Sequence, residues 1–329
     1  MFVCVCLVVA AVAIAVTLFA QSNTSRAFNL NPGQGYQDPA TAIHITSTGE
    51  IEGSNLDSSS VNLHCNGSVY TLAGPVTNWI IIEKSNIIFD GNGFTLAGSH
   101  GLSLSFVSNV TVRNLHIQTY YLQMLLDHSK KCILQNVDSS FEIVLFNSDE
   151  NLISNCSGAI RLENSDSNSI QSCTAREITL DKSNGNSILC NTISLQGPSL
   201  EIWSSSNNLV FGNTFSKFWW WITMTGSSAN NKIVANNVWA GQLYLADKLV
   251  GTNYIYHNNF YNFNWNQSAT TNSVNVWSSG GRGNYWANFS GVDLNGDGVA
   301  DTFYVIDQNN SDLYPLVTPI DISVEPLPK

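Results

Sequence analysis

Six short stretches with one shared pattern decide the fold: NLIS (151–154), NSIQ (168–171), NSIL (186–189), NLVF (208–211), NKIV (231–234) and NYIY (253–256). Each begins with asparagine and has an apolar residue two positions later. These apolar positions are separated by 17, 18, 22, 23 and 22 residues, and they are Ile153, Ile170, Ile188, Val210, Ile233 and Ile255. A repeat of about twenty residues is typical of a solenoid.

Each of the first four units also contains a second apolar pair, found ten and eight residues before its repeat position. These pairs are Ile143/Leu145, Ile160/Leu162, Ile178/Leu180 and Leu200/Ile202. Their i, i+2 spacing places both side chains on one face of a strand. A unit of strand, polar turn and strand is too short to bury its own apolar face, so the units must stack. We predict an all-β fold, a single-stranded right-handed parallel β-helix (solenoid) with N- and C-terminal caps, in which asparagine amides hydrogen-bond along the stack.

The pattern divides the chain into four parts. Residues 86–265 are the predicted coils, preceded by an N-terminal cap with irregular strands (21–85) and followed by a C-terminal cap with the loop DLNGDGVAD and a tail (266–329). Residues 1–20 are apolar and uncharged, which is compatible with either a signal peptide or a retained membrane anchor. We therefore expect an exported protein, extracellular or at the cell surface, and a membrane tether through residues 1–20 stays open.

Composition restricts the partners. Only 11% of the residues are charged and the formal net charge is −11. Nucleic-acid binding requires a basic surface, so a nucleic-acid partner is disfavoured.

Three parts of the sequence together resemble a known family. They are WIIIEKSNIIFDGNGFTLAG (79–98), the asparagine-rich coils, and GNYWANFSGVDLNGDGVADTFYVIDQNNSDLYPL (283–316). Over roughly residues 40–320 the chain resembles the NosD-like secreted right-handed parallel β-helix proteins, within the superfamily of carbohydrate-binding and sugar-hydrolase β-helices. The resemblance implies copper delivery to nitrous-oxide reductase.

The residues themselves disfavour copper as a cofactor. Copper centres need clustered imidazole, thiolate or thioether ligands. The chain has three methionines, and its histidines are scattered: His44, His64, His100, His116, His128 and His257.

The loop DLNGDGVAD (293–301) predicts a calcium site. Oxygen ligands at alternate positions would come from Asp293, Asn295, Asp297, the Val299 carbonyl and Asp301, with Gly298 at the sharp turn. Tyr304 stands where a calcium loop of the EF-hand type has its bidentate glutamate, which argues against an EF-hand. The alternative is a turn rich in aspartate and asparagine; if calcium binds, we expect it to stabilise the cap.

Acidic residues of the coils are candidates for catalysis. Glu163 and Asp181 each lie seven residues before a repeat position, so stacking places them about 5 Å apart. Glu142 and Glu177 share another column, separated by Ala159. Paired acids suit a glycosidase, whereas exposed charges can equally serve solubility alone.

Aromatic residues accumulate towards the C-terminus and predict sugar contacts. Trp219, Trp220, Trp221, Tyr244 and Trp265 are the candidate substrate-binding residues. Successive residues of a strand point to opposite faces, so the three consecutive tryptophans cannot all be core. The alternative is that these rings pack against the cap.

Cys156 and Cys173 each lie three residues after a repeat position, so stacking places one above the other. One coil spacing lies within the Cα–Cα range of a disulfide. A disulfide and two buried free thiols both remain compatible with the sequence.

These features predict an exported β-helix protein that binds a polysaccharide or cell-surface glycan without catalysis. The first alternative is a polysaccharide hydrolase or lyase that acts on the β-helix face. A structural or adhesion rod, or a copper-related accessory protein of the NosD type, is the second.

Overall fold

The computed structural model describes residues 42–53, 62–194, 199–216, 221–239, 242–245, 251–261 and 273–328. Within these ranges the chain consists of strands and turns without a helix, and most strands pair in parallel with the strand about one coil further along. The predicted parallel β-helix is thereby confirmed. In the same ranges no helix is long and apolar enough to span a membrane, and the predicted signal or anchor segment lies outside them.

The strands form three faces that run along the stack. The first face contains Val69–Leu72, Ile88–Asp90, Leu152–Ser154, Ser169–Gln171, Ser187–Leu189, Leu209–Phe211, Lys232–Val234 and Tyr254–Tyr256. The second contains Thr192–Ile193, Thr214–Phe215, Asn237–Val238, Asn259–Phe260 and Tyr285–Trp286. The third contains Ile43–Ile45, Ile80–Ile82, Leu200–Trp203, Trp221–Thr225 and Gln242–Leu245.

Five longer strands continue over two or three faces: Thr95–Ser105, Thr111–Asp127, Ile133–Phe146, Ser157–Glu163 and Thr174–Asp181. The remaining strands make antiparallel contacts near the two ends of the stack. They are Ile51–Glu52, Leu63–Asn66, Tyr304–Val305 and Ser311–Asp312.

The repeat positions found in the sequence face inwards. Ile153, Ile170 and Ile188 stack in register on the first face and are fully buried. Large rings fill the C-terminal end of the core, where Phe260 and Trp286 stack with centroids 4.4 Å apart. The core is thus one continuous apolar column, as expected when each coil buries the face of its neighbour.

Buried asparagines form two hydrogen-bonded ladders inside the coil corners. In each rung a backbone N–H donates to the amide oxygen of the asparagine one coil further along, as from Asn186 to Asn208 at 2.8 Å. The first ladder comprises Asn151, Asn168, Asn186, Asn208, Asn231, Asn253, Asn275 and Asn310. The second comprises Asn191, Asn213, Asn236, Asn258, Asn284 and Asp312. The predicted amide ladder is confirmed.

Serine hydroxyls form a third ladder in the same manner. Each backbone N–H donates to the hydroxyl of the next coil, at 2.9–3.1 Å between the members Ser129, Ser148, Ser165, Ser183, Ser205 and Ser228. These bonds satisfy buried backbone groups that the strands leave unpaired at the corners.

Both asparagine ladders end on side chains of the C-terminal cap. Asn310 accepts hydrogen bonds from the Asn275 backbone and from the Trp277 indole. Asp312 accepts the equivalent bonds from the Asn284 backbone at 2.7 Å and from the Trp286 indole at 2.9 Å. Side chains of the cap therefore accept the last hydrogen bonds of both ladders, and the cap also covers the core.

The last acceptor of the second ladder makes stability dependent on pH. Burial raises the pKa of Asp312 above its ordinary value, although bonds from Asn284 and Trp286 oppose this. A raised folded-state pKa means that stability is lost as the pH rises from the ordinary pKa through the raised one. Because asparagine does not titrate, we expect the free energy of unfolding of Asp312→Asn to increase relative to that of the wild type as the pH rises across that range.

Chemical denaturation of both proteins at a series of pH values measures this difference. Comparing the two proteins at each pH cancels the contribution of all other carboxylates. A difference that stays constant with pH would contradict the assignment.

Candidate functional site

A line of outward-facing side chains on the third face brings together acids and aromatic rings. Strand register places Asp127, Phe146, Glu163, Asp181 and Trp203 opposite one another on five successive coils. We call these five residues the edge column. They alternate along their strands with buried leucines and isoleucines, so their side chains face solvent.

Glu163 and Asp181 are directly opposite in adjacent strands, as the sequence predicts. Neighbouring strands are about 4.8 Å apart. The guanidinium of Arg161 donates to the carboxylate of Glu163 at 3.1 Å. The carboxylate of Asp181 has no hydrogen-bond or ion-pair partner in the part of the chain that the structure describes. The pair therefore combines one charge-neutralised acid with one acid available to a ligand.

Glu142 and Glu177 are separated as predicted. Glu142 lies opposite Ala159, while Glu177 lies in a bulge beyond Ala159, where the pairing shifts between Gly158 and Ile160. Arg176 from this bulge reaches across to Phe141, donating to its carbonyl and lying 5.6 Å from its ring centroid. The structure therefore does not place Glu142 and Glu177 on adjacent strands.

An exposed phenylalanine lies at the corner next to the N-terminal end of the edge column. Phe106 is 71% exposed, and its ring stacks on the His128 imidazole with centroids 4.6 Å apart. Nδ1 of His128 lies 2.6 Å from the Asp127 carboxylate, which fixes the ring beside the edge column. Ring face, imidazole and carboxylate together form an amphipathic surface.

The backbone at Phe106 is strained. Its φ of 53° lies in the left-handed region, which is rare for a bulky residue. The equivalent corner positions of the following coils are mainly polar: His128, Asn147, Asn164, Lys182 and Ser204. A highly exposed aromatic residue with this backbone conformation motivates the hypothesis that Phe106 has a functional role.

Sequence reasoning missed Phe106 and Phe146. Phe146 lies 17 residues before Glu163, which equals one of the repeat lengths, so counting the register from Glu163 would have found it. Nothing in the local sequence marks Phe106, because its significance comes from its backbone conformation and exposure.

The predicted substrate-binding aromatics are only partly within the described ranges. Trp219, Trp220 and Trp265 lie outside them. Trp221 and Tyr244 lie in paired strands of the third face, and only the backbone of these two residues is described. Their role in sugar contact stays a prediction.

Carboxylate oxygens of the loop 293–301 accept hydrogen bonds from the backbone N–H groups of the same loop. Asp293 accepts bonds from the backbone of Gly296 at 2.7 Å and of Gly298 at 2.8 Å. Asp297 accepts from the backbone of Val299, and Asp301 from that of Leu294. The amide of Gly298, followed by others of the loop, lowers the pKa of Asp293. The loop is a compact acidic turn with Asn295 bonded to Asp297.

No three His, Cys, Asp or Glu side chains within the described ranges form a group that could hold a metal ion. The calcium interpretation of loop 293–301 stays a prediction. For copper, His44, His116 and His257 pair with separate acids, Glu83, Asp138 and Glu325, so the described histidines do not converge. These residues do not fit a copper centre.

Cys156 and Cys173 are stacked as predicted and are free thiols in the structure. The backbone of Cys156 donates to the Cys173 sulfur at 3.4 Å, and the backbone of Cys173 donates to Asn191. The two cysteines thus precede the second asparagine ladder and perform the same task. Contact with Cys173, together with burial, raises the pKa of the Cys156 thiol and disfavours its reactive thiolate. Their disulfide stays a prediction.

Comparisons with known proteins identify one family. The family model described as "Periplasmic copper-binding protein (NosD)" matches residues 80–249, about half of the chain. No curated protein matches the sequence significantly. A solved structure, a mutant of the periplasmic alginate epimerase AlgG, matches with 11% identity and a TM-score of 0.41. That match covers 66% of this chain and 62% of the epimerase chain, so the chain spans less than two thirds of that protein.

Two substitutions at Phe106 separate backbone strain from ring contact. Phe106→Asn and Phe106→Ala both remove the ring, but asparagine tolerates the left-handed backbone better. We expect Phe106→Asn to be more stable than Phe106→Ala by about 1 kcal/mol in denaturant unfolding. Equal stability of the two variants would show that the left-handed conformation is not retained.

Calcium is expected to stabilise the cap. Adding calcium raises the melting temperature of the wild type, and Asp297→Asn reduces this rise because it removes one anionic ligand. Differential scanning calorimetry with calcium or with a chelator measures the effect. Identical melting in both conditions would reduce loop 293–301 to a structural turn.

Proposed function

We propose, from the premise that the chain belongs to the NosD family of β-helix proteins, that it is exported and binds a glycan without catalysing a reaction. The family is described as periplasmic, which supports export. The edge column carries the proposal, because it aligns aromatic rings and carboxylates on one outward-facing line of the solenoid, where Trp203 is exposed and the other four residues are half-buried.

The edge column offers the two kinds of contact that sugars require. Phe146 and Trp203 flank Glu163 and Asp181 along the stack, and Trp203 is 43% exposed. Aromatic side chains provide large apolar contact areas for the C–H faces of sugar rings. Carboxylates accept hydrogen bonds from hydroxyls. A glycan lying along the solenoid axis would meet both in alternation.

The acids also limit the class of glycan. Asp127, Glu163 and Asp181 lie in one column of a protein with a net charge of −11. A polyanionic polysaccharide would be repelled, since like charges placed close together raise the free energy of the complex. The edge column therefore favours a neutral or amine-bearing glycan.

Hydrolysis is the second candidate function. Glu163 and Asp181 lie opposite each other on adjacent strands, and the strand spacing of about 4.8 Å is close to the roughly 5 Å between the carboxyl groups of retaining glycosidases. Arg161 forms an ion pair with the Glu163 carboxylate. In this reading Glu163 would be the nucleophile and Asp181 the acid.

The binding proposal predicts that Trp203→Ala lowers the affinity for a bound oligosaccharide about tenfold, because the ring is a main contact. Phe106→Asn is expected to weaken binding while the fold persists. Isothermal titration calorimetry with neutral, amine-bearing and acidic oligosaccharides measures the affinities. Phe303→Ala removes an exposed aromatic ring in the C-terminal cap; it is the control and leaves the affinity unchanged.

The same oligosaccharides distinguish binding from hydrolysis. Under the binding proposal they are recovered intact after incubation, whereas turnover that disappears in Glu163→Gln supports the enzyme. If no oligosaccharide binds, both functions are excluded and a structural rod remains.

A further inference from the structure

A second exposed aromatic group lies on another face of the solenoid. Trp239, Tyr261 and Tyr285 follow one another along the outer side of the second face. The rings of Trp239 and Tyr261 are stacked with centroids 3.9 Å apart and an interplanar angle of 14°. Tyr261 and Tyr285 are tilted, with centroids 5.9 Å apart. We call these three residues the aromatic row.

Strand register explains why the rings meet. Val238 pairs with Phe215 on one neighbouring coil and with Phe260 on the other, and these three positions are buried. The residue that follows each of them therefore points outwards. The backbone of Trp239 donates to Phe215 and that of Tyr261 donates to Val238, at 2.9 and 2.8 Å. Trp239 and Tyr261 are 22 residues apart in sequence, yet they are held one coil apart.

The two outward columns of the second face beside the aromatic row carry no charged side chain among the described residues. The outward positions of the second face over these coils form two columns. One consists of Thr192, Thr214, Asn237, Asn259 and Tyr285, and of these Asn259 is buried. The other consists of Ser194, Ser216, Trp239, Tyr261 and Ala287. This composition contrasts with the edge column, which contains three acids.

The aromatic row is rigidly supported from below. Phe260 and Trp286 stack beneath it, and Asp312 fixes the Trp286 indole. Asn259 bonds to Asn237 at 2.7 Å and also holds the backbone of Ile320. A preorganised surface loses little conformational entropy on binding.

We infer that the aromatic row is a second carbohydrate-contact surface, separate from the edge column, and that it takes a neutral glycan. Trp239 is 43% exposed, so its indole is accessible to a ligand. Rings combined with neutral hydroxyl and amide groups match a ligand of apolar C–H faces and hydroxyls. The absence of charge in the two columns gives no basis for holding a cationic or anionic partner. This inference goes beyond the edge-column proposal, because it rests on different residues and a different face.

Two tryptophans of equal exposure allow a matched test. Trp239 and Trp203 are each 43% exposed and lie on different faces. We expect Trp239→Ala to lower the affinity for an uncharged β-glucan oligosaccharide about tenfold at the second site, while Trp203→Ala leaves that site intact. Trp239→Phe retains a ring and is expected to recover most of the binding. Calorimetry on the full chain resolves two sites in the wild type, and each alanine variant weakens only one of them.

The outcomes separate the two surfaces. Unchanged stoichiometry and affinity in Trp239→Ala would overturn the aromatic-row inference without affecting the edge column. Loss of binding in Trp203→Ala alone would leave only the edge column. Sedimentation velocity tests whether a second copy of the chain binds to the aromatic row instead. If the wild type is a dimer and Trp239→Ala is a monomer, the row is an interface between copies and the inference fails. Melting temperatures confirm that each variant is folded.

Discussion

The hydrogen bond from a backbone N–H to the side-chain amide of the next coil is the interaction on which the structure depends. Strand pairing satisfies the backbone along the three faces but cannot satisfy it at the corners. A buried, unpaired N–H costs about 1–3 kcal/mol, and such groups recur in every coil. The amide oxygen of each asparagine accepts a hydrogen bond from the previous coil. The amide nitrogen donates to a backbone carbonyl of that same coil, as from Asn186 to Ser165 at 3.1 Å. Each coil is thereby fixed at the same rotation as its neighbour.

This fixed rotation determines what can be presented on the surface. Because no coil can slip relative to the next, outward residues about twenty positions apart are aligned into columns. Glu163 and Asp181 on one face, and Trp239 and Tyr261 on another, are neighbours for this reason alone. The solenoid can therefore carry separate binding surfaces of different charge, since the composition of each column is independent of the core.

The description of the NosD family and the described side chains of this protein disagree about copper binding. The family model carries the description of a copper-binding protein, whereas His44, His116 and His257 pair with separate acids and the described His, Cys, Asp and Glu side chains form no group of three that could hold a metal ion. The stacked cysteines serve as hydrogen-bond partners in the second ladder. Membership of a β-helix family indicates the fold. The binding or catalytic chemistry depends on the outward columns of side chains, which can change without affecting the core.

The sequence alone determined the parallel β-helix, because the Asn-x-Ile repeat encodes both the inward residue and the corner amide of each coil. It also placed Glu163 opposite Asp181 and Cys156 above Cys173, since the two residues of each pair lie at the same offset from their repeat positions. Only the tertiary structure showed the strained backbone of Phe106, its stacking on His128, and the end of the ladders on Asn310 and Asp312. These features depend on corner conformation and on how the cap meets the last coil. Neither has a repeat period, so the spacing of residues along the chain carries no record of them.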